Sequence, residues 1–335
     1  PVVARLHCSD GNQRIVILPS GEIEVFLDRE VVPTDRPFTG STKDELAKAL
    51  VEGKFKNFKT KQTKRFLYVY NTSEMFYQGT SRILETMYPG VMAYCKKQKL
   101  DVHEAELPLV VIMFRTKGEF DNYRKMPAGV LAYYDGRTNW VCMYEMSDLV
   151  KISPPLALKQ AVSTVAHEGV HQILENIGVQ QRLSRWPMWI SEGIAEFFAP
   201  TDISSDVRWK GIGTVNDLRM AELEHYIKTG QGKFEPGTTM RVTARATELT
   251  STGYASAWAL THFLAQKRPK DFLEFMQEVS QRKPLEEFRP DDDGALFERH
   301  FGDEYAALEA LELKHLQTLP YVNPLTRLGL EFKRK

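Results

Sequence analysis

Short apolar runs with strand-like spacing dominate the first half of the chain. Residues 14–18 and 22–26 flank the turn Pro19-Ser20-Gly21, and this pattern predicts a β-hairpin. Residues 65–70 predict a buried strand, and residues 109–114 predict a central strand of a sheet. The N-terminal half should therefore contain most of the strands.

Two further patterns extend this prediction. Apolar residues recur with a helical period between residues 73 and 91, and Ser73 is a suitable N-cap for that helix. Residues 130–134 and 138–144 are strand-like and surround Asp135-Gly136, which is a strong hairpin signal. We take residues 138–144 as the edge strand of the sheet.

A long helix is predicted between Ser153 and Gly178. Ser153 followed by Pro154 and Pro155 is typical of a helix start, and Gly178 is a natural C-terminal stop. Two adjacent stripes of small and apolar residues make the helix apolar around much of its circumference, so it should be central rather than superficial. Strands first and helices afterwards predict an α+β fold with mixed sheet.

Composition narrows the class of protein. The chain has 335 residues, of which 42% are hydrophobic and 26% charged, as in ordinary globular proteins. Lys and Arg total 44, and Asp and Glu total 44, which weighs against a dedicated nucleic-acid binder. We interpret the basic stretch 53–65 as a solvated strand face rather than a polyanion site.

Length and termini give further expectations. No apolar run approaches the ~20 residues of a membrane span, so we expect none, and the oligomeric state is left open. Three scattered cysteines exclude a disulfide framework and thiolate zinc motifs. The chain opens with Pro1 rather than Met, which favours a removed leader and an exported, periplasmic or extracellular protein.

The chemistry is concentrated in the sequence HEGVH, which spans residues 167–171 of the predicted helix. His167 and His171 are four residues apart, so both imidazoles project from one face and suit adjacent corners of a zinc tetrahedron. Glu168 points to a neighbouring sector, where it can reach a water on the ion. A buried histidine pair that hydrogen-bonds within a core helix is the non-catalytic alternative.

A catalytic zinc site needs a third protein ligand. Glu192 and Glu196 lie one turn apart in the sequence WISEGIAEFF, where Pro187 suits the start of a second helix. Like charges at this spacing repel each other weakly, so a cation and an imidazole N–H opposite them would explain their presence. Glu192 is therefore the favoured third ligand.

Other third ligands are weaker candidates. Leu174 and Ile177 occupy the positions where the extended astacin-like pattern requires Gly and His, which excludes that branch. Asp217 lies in a Gly-Thr-x-x-Asp string like that of the aspzincins, but without further supporting context. Glu175 is on the same helix as both histidines, and one straight helix does not readily wrap three ligands around a tetrahedral ion.

HEGVH followed after twenty residues by WISEGIAEFF resembles the gluzincin metallopeptidases, which include the thermolysin-like and aminopeptidase-N-like enzymes. The combination is most similar to bacterial peptidase-like domains of uncharacterised function. The resemblance covers roughly residues 64–270 and is strongest over 160–200. It implies a zincin-like two-lobe fold, with residues 1–60 as a β-hairpin extension, 61–180 as the sheet lobe and 181–335 as the helical lobe.

The resemblance also implies roles for individual residues. His167, His171 and Glu192 would be the ligands of one Zn²⁺, and Glu168 would be the general base. Glu196 would orient a ligand histidine. Tyr254, near a predicted helix start, resembles the tyrosine that stabilises the oxyanion, and His262 is a second candidate for oxyanion or substrate contact.

These assignments predict a zinc-dependent peptidase that cleaves a peptide or protein substrate held along the edge strand. A zinc-containing or peptide-binding module without turnover is the alternative, and a structural protein with a chance motif is a third possibility. Hydrolysis of an ester or a cell-wall amide would use the same zinc and base. The aminopeptidases' Gly-x-Met-Glu-Asn motif is missing upstream, so the sequence does not predict aminopeptidase action.

Overall fold

The computed structural model describes residues 2–146, 148–203, 207–229 and 234–324. This part of the chain is mixed α/β and forms two compact units. The first unit comprises residues 1–184, 203–208 and 283–285, and the second comprises residues 185–202, 209–282 and those from 286 onward, so far as they are described. The last eleven residues of the predicted segment 181–335 lie outside the described residues.

The first unit contains eight strands and four helices within its described residues. The strands are β1 Arg5–Asp10, β2 Gln13–Ile17, β3 Ile23–Leu27, β4 Lys59–Gln62, β5 Phe66–Tyr70, β6 Leu109–Thr116, β7 Ala132–Asp135 and β8 Trp140–Met146. The helices are α1 Lys43–Glu52, α2 Glu74–Lys97, α3 Lys117–Tyr123 and α4 Pro154–Asn176. Two very short strands, β9 Thr201–Asp202 and β10 Arg208–Trp209, pair with each other.

A five-stranded sheet with the order β4-β5-β6-β8-β7 is the centre of the first unit. Strands β5, β6 and β8 are parallel, and β4 and β7 run antiparallel to them at the two edges. The predicted central position of residues 109–114 is confirmed by β6. The prediction that residues 138–144 form the edge is wrong, because β8 lies between β6 and β7. The turn after Asp135 folds the short β7 back outside β8, which leaves the longer and more apolar strand inside.

The N-terminal residues form more than the predicted hairpin. Strands β2 and β3 pair antiparallel as expected, and β1 adds a third strand beside β2. Helix α1 begins at a capping box in which Thr42 and Glu45 satisfy each other's backbone N–H groups. Leu46 and Phe55 pack in the same core cluster as residues of the five-stranded sheet. The predicted boundary after residue 60 falls inside β4.

Two of the predicted helices are confirmed. Helix α2 begins after Ser73, whose side chain accepts the N–H of Phe76, as a cap at this position predicts. Helix α4 begins at Pro154 and ends at Asn176, and Gly178 follows with a φ of 91°. Their inner faces are buried, so both helices are held by packing of an apolar face rather than by propensity alone.

The described part of the second unit is mainly helical. Its helices are α5 Met188–Phe198, α6 Asp217–Lys228, α7 Thr238–Ala244, α8 Ser251–Lys267, α9 Pro269–Ser280, α10 Pro290–Phe301 and α11 Tyr305–Gln317. Trp189 of α5 is fully buried and packs against the rings of Phe275 and Phe297. Across the described residues, the helices are too short or too polar to cross a bilayer.

Candidate metal centre

The two histidines of HEGVH converge on one point beside α4. The Nε2 atoms of His167 and His171 are 3.2 Å apart, and the two rings meet nearly edge to face. Two imidazole ligands 2.0–2.1 Å from a tetrahedral ion would have nitrogens about 3.3 Å apart. A separation of 3.2 Å fits two ligands of a single ion, and it is also the distance of a hydrogen bond between the rings, which is the non-catalytic alternative. His167 is 8% exposed, and His171 is half-buried.

Helix α4 is fixed on the sheet by a buried amide directly after the second histidine. Nε2 of Gln172 donates to the carbonyls of Val110 and Asn139 at 3.0 and 2.7 Å. Val110 and Trp140 form the first residue pair between β6 and β8. The Gln172 amide therefore donates to backbone carbonyls at the end of this strand pair. Nothing in the local sequence indicates this role of Gln172, because its two partners lie 33 and 62 residues away along the chain.

The glycine in HEGVH allows α2 to approach α4 closely. A Cβ atom on Gly169 would lie 2.3 Å from Cδ2 of Leu84 and 2.9 Å from Cε of Met87, both on α2. Any larger residue would push the helices apart or displace these side chains. Gly169 thus contributes to the position of the histidines through packing.

The edge strand β7 contacts α4 through Tyr134. The backbone N–H of Tyr134 donates to Oε2 of Glu168 at 2.7 Å, so the predicted base is held by the main chain of the edge strand. The hydroxyl of Tyr134 lies 2.9 Å from Oε2 of Glu175 and 2.9 Å from Oδ1 of Asn139. Burial raises the pKa of Glu175 to about 7. Sequence reasoning did not identify Tyr134 as a positioning residue.

A buried arginine holds the turn between β7 and β8. Arg182 donates to the carbonyls of Gly136, Arg137 and Gly21 at 2.7 to 2.9 Å. The loop carbonyls receive a charged donor in place of water, which makes these bonds stronger than neutral ones. The sequence contained no signal for this contact, because residue 182 is at least 45 residues from each of its three partners along the chain.

Helix α5 carries Glu192 and is held by close packing on α8. A Cβ atom on Gly193 would lie 2.2 Å from Oγ1 of Thr261 and 2.5 Å from the carbonyl oxygen of Ala257. Only glycine allows this approach. The small residue next to Glu192 is therefore required by the packing of α5, and it fixes the helix face from which Glu192 projects.

Glu196, one turn after Glu192, has two partners within the second unit. Its Oε1 receives a hydrogen bond from Arg219 at 2.6 Å, and its Oε2 receives one from Nδ2 of Asn216 at 2.7 Å. The side chain of Glu196 is 3% exposed, so the pair with Arg219 compensates a buried charge. The prediction that Glu196 orients a ligand histidine stays a prediction.

One donor atom from each of His167, His171 and Glu192 lies within 4.8 Å of the other two, which makes this a group that could hold a metal ion. Among the described residues, neither Glu175 nor Asp217 belongs to such a group. Asp217 instead opens helix α6.

The two predicted oxyanion residues differ in their surroundings. Tyr254 is half-buried in the first turn of α8, and the guanidinium of Arg219 lies 5.2 Å from its ring centroid. His262 is buried, with Nδ1 2.9 Å from Nε2 of His315 and Nε2 3.1 Å from the carbonyl of Gly213. Burial and the neighbouring His315 lower the pKa of His262 to about 4. Both ring nitrogens of His262 make contacts within the second unit, and its role in oxyanion or substrate contact stays a prediction.

Comparison with known protein families adds a match without a stated activity. A family described as "Protein of unknown function (DUF1570)" matches residues 161–286, which include HEGVH, the Glu192 helix and Tyr254. The match spans less than half of the chain. No curated protein sequence matches the chain significantly. The likeness therefore shows that this segment is a recognised sequence unit, and it names no function.

Proposed function

We propose that the protein is a zinc-dependent peptidase of the gluzincin type. The observation that carries the proposal is the pair of imidazoles on one face of α4, with Nε2 atoms of His167 and His171 3.2 Å apart and Glu168 beside the first ligand. Glu192 belongs with them to a group that could hold a metal ion. Two imidazoles and one carboxylate form the donor set of several catalytic zinc sites. The resemblance of both motifs to gluzincins supports the same assignment.

The donors fit zinc better than a hard cation. Two imidazole nitrogens suit zinc, whereas Ca²⁺ and Mg²⁺ prefer sites made of oxygens. The Nε2 separation of 3.2 Å agrees with two corners of a tetrahedron around an ion of this size. Three protein ligands would leave the fourth position for water, as in catalytic rather than structural sites.

When bound, zinc would lower the pKa of a water molecule towards ~7 and polarise the substrate carbonyl. Glu168 would take the proton from that water as it attacks and would deliver it to the leaving amine. The Tyr134 N–H holds one oxygen of Glu168 at 2.7 Å and leaves the other for this proton. Tyr254 would donate its hydroxyl hydrogen to the developing oxyanion.

The proposal places an extended substrate along β7. This strand is the edge of the sheet on the side of α4, and Tyr134 already directs its N–H away from β8 towards Glu168. An edge strand has unpaired backbone groups that a peptide can join as an additional strand. We further propose that the sheet unit and the helical unit correspond to the two lobes of a zincin-like fold.

The decisive experiment is peptide-library profiling of the wild type and Glu168→Gln, with bound zinc quantified in both. Removal of the base should reduce cleavage by at least about 10³-fold, while zinc content stays within error of the wild type. Zinc retained by the wild type without cleavage of any peptide would contradict the peptidase proposal and would favour the module without turnover.

A second experiment tests the ligand set independently of turnover. Glu192→Ala should lose most of the bound zinc, because only two protein ligands remain. Glu222→Ala, which removes a half-exposed carboxylate of α6, is the control and should keep full occupancy. Full zinc occupancy in Glu192→Ala would refute the assignment of Glu192.

A further inference from the structure

The second unit contains a small cavity that the proposed hydrolysis does not use. It lies among α6, α7, α8 and α11 and has a volume of about 170 Å³. For scale, an apolar cavity of about 150 Å³ holds a benzene molecule. None of the candidate metal ligands lines it. We call it the Glu312 cavity after its buried acid. The lining residues used below are Tyr226, Ser256, Leu260, Glu309, Glu312 and Leu316.

Glu312 is an unpaired buried carboxyl in the wall of this cavity. It is 9% exposed, and within the described residues no hydrogen-bond donor or cation contacts it. An uncompensated charge in such surroundings is costly. Burial and the neighbouring Glu309 raise the pKa of Glu312 to about 8, as expected for a carboxyl without a partner. A cation brought into the cavity would therefore gain a strong partner.

The second acid of the cavity is already engaged. Oε2 of Glu309 accepts the N–H of Gly237 at 2.7 Å, and Oε1 accepts the N–H of Met240 at 3.1 Å. These bonds cap the start of α7, where a negative charge is favourable. Glu309 therefore has a structural role, and Glu312 alone is left to receive a ligand.

The walls of the cavity select the kind of cation. Leu223, Met240, Ala259, Leu260 and Leu316 are buried and apolar. Metal ions such as Ca²⁺ need six or more oxygen ligands, which one carboxylate and a few hydroxyls do not supply. An alkyl or aryl ammonium ion, in contrast, has an apolar body for the walls and a charged group for Glu312.

We propose that the Glu312 cavity binds a small organic ammonium ion of roughly six to eight non-hydrogen atoms. Its ammonium group lies on the Glu312 carboxylate, and its apolar body packs against Leu260 and Leu316. The hydroxyl of Ser256, which also lines the cavity, is available as a second acceptor. This site is independent of the zinc peptidase proposal.

Isothermal titration calorimetry of the full chain with benzylamine and benzyl alcohol tests the charge preference. The two probes have the same size, and they differ in the charged group. At pH 7.5 benzylammonium should bind at least tenfold more tightly than the alcohol. Equal binding of both probes, or no binding of benzylamine at millimolar concentration, would overturn the proposal.

Two glutamine variants locate the charge. Glu312→Gln should remove the preference for benzylamine, whereas Glu304→Gln, which removes an exposed carboxylate at the start of α11 outside the cavity lining, should change the affinity by less than threefold. Ser256→Leu fills the cavity and should abolish binding of both probes. Thermal unfolding of each variant checks that it is folded. Equal effects of the two glutamine variants would show a general charge effect and would refute the site.

The pH dependence gives an independent signature. Glu309 of the same helix and Tyr226 of α6 are the titratable groups that line the cavity, and α7 and α8 contribute none. Because the Glu312 carboxyl must lose its proton to bind an ammonium ion, affinity should rise about tenfold between pH 6 and pH 7. The rise should be missing in Glu312→Gln. Stabilisation by calcium or zinc chloride but not by benzylamine would instead identify a metal site.

Discussion

The two helices that carry the candidate ligands are positioned by different kinds of contact. Helix α4 is tied to the sheet by directional hydrogen bonds, from Gln172 to two strand carbonyls and from the Tyr134 N–H to Glu168. Helix α5 is held by close steric fit at Gly193 and by burial of Trp189. A strand end or edge has backbone groups without ladder partners, whereas the backbone of a helix interior is already satisfied. Polar anchoring is thus available on a sheet, and packing must replace it between helices.

The largest effect is expected at Gly193, where α5 lies in close steric contact with α8. Gly193→Ala would bring a Cβ atom to 2.5 Å from a backbone carbonyl oxygen, which cannot move without shifting α8. We expect a loss of about 3 kcal/mol or more in the free energy of unfolding, measured by urea titration.

Gly169→Ala is the matched substitution on α4. Its Cβ atom would meet only the ends of Leu84 and Met87, which can rotate away. The expected loss is about 1 kcal/mol. A loss as large as that of Gly193→Ala would contradict the distinction between the two helices.

Arg219→Ala tests the ion pair that Glu196 of α5 makes with α6. The variant removes a cation 2.6 Å from a buried carboxylate, and removal of one partner of a buried pair costs about 3 kcal/mol. Urea titration measures this loss in the free energy of unfolding. A loss below about 1 kcal/mol would show that the pair contributes no more than an exposed ion pair.

Gln172→Met tests the polar anchor of α4 at nearly constant volume. Two buried carbonyls would lose their donor, which should cost about 2 kcal/mol in the free energy of unfolding. Zinc affinity should also fall, since the residue next to His171 is no longer fixed. Unchanged unfolding and unchanged zinc affinity would show that packing holds α4 as well.

Glu312→Gln is expected to stabilise the protein, in contrast with removal of the paired Arg219. The folded pKa of about 8 lies above the ordinary value of 4.5, so the folded state binds the proton more tightly. The stabilisation that comes from protonated Glu312 is fully present below pH 4.5, and it is lost as the pH rises through 8. A difference of this size between the folded and unfolded pKa corresponds to about 4 kcal/mol, so the variant should gain up to that amount over the wild type at pH 8.5 and nothing at pH 4. Urea titrations of both proteins from pH 4 to 8.5, without added amine, measure this difference in the free energy of unfolding.

Much of the candidate site could be predicted from local sequence. The four-residue spacing of His167 and His171 fixes both rings on one helix face, and the cap at Ser73 and the turn at Asp135-Gly136 set the ends of elements. These are short-range effects, in which each residue acts on neighbours within one helical turn or one β-turn.

Sequence reasoning failed where the answer depended on distant partners. It placed β8 at the edge, although strand order is set by which strands pair and not by the pattern within one strand. It missed Gln172, Arg182 and Arg219, whose partners lie 23 to 161 residues away. It also gave no sign of His315, whose Nε2 lies 2.9 Å from Nδ1 of His262.

The sequence by itself determined the donor types and the helices that carry them, because helical periodicity is a local property. Only the tertiary structure decided which strand is the edge and which buried acid lies beside a cation. Glu196 and Glu312 are the same residue type in helices, and they differ in what folding places opposite them. Glu196 lies against a guanidinium, and Glu312 lies against an apolar cavity.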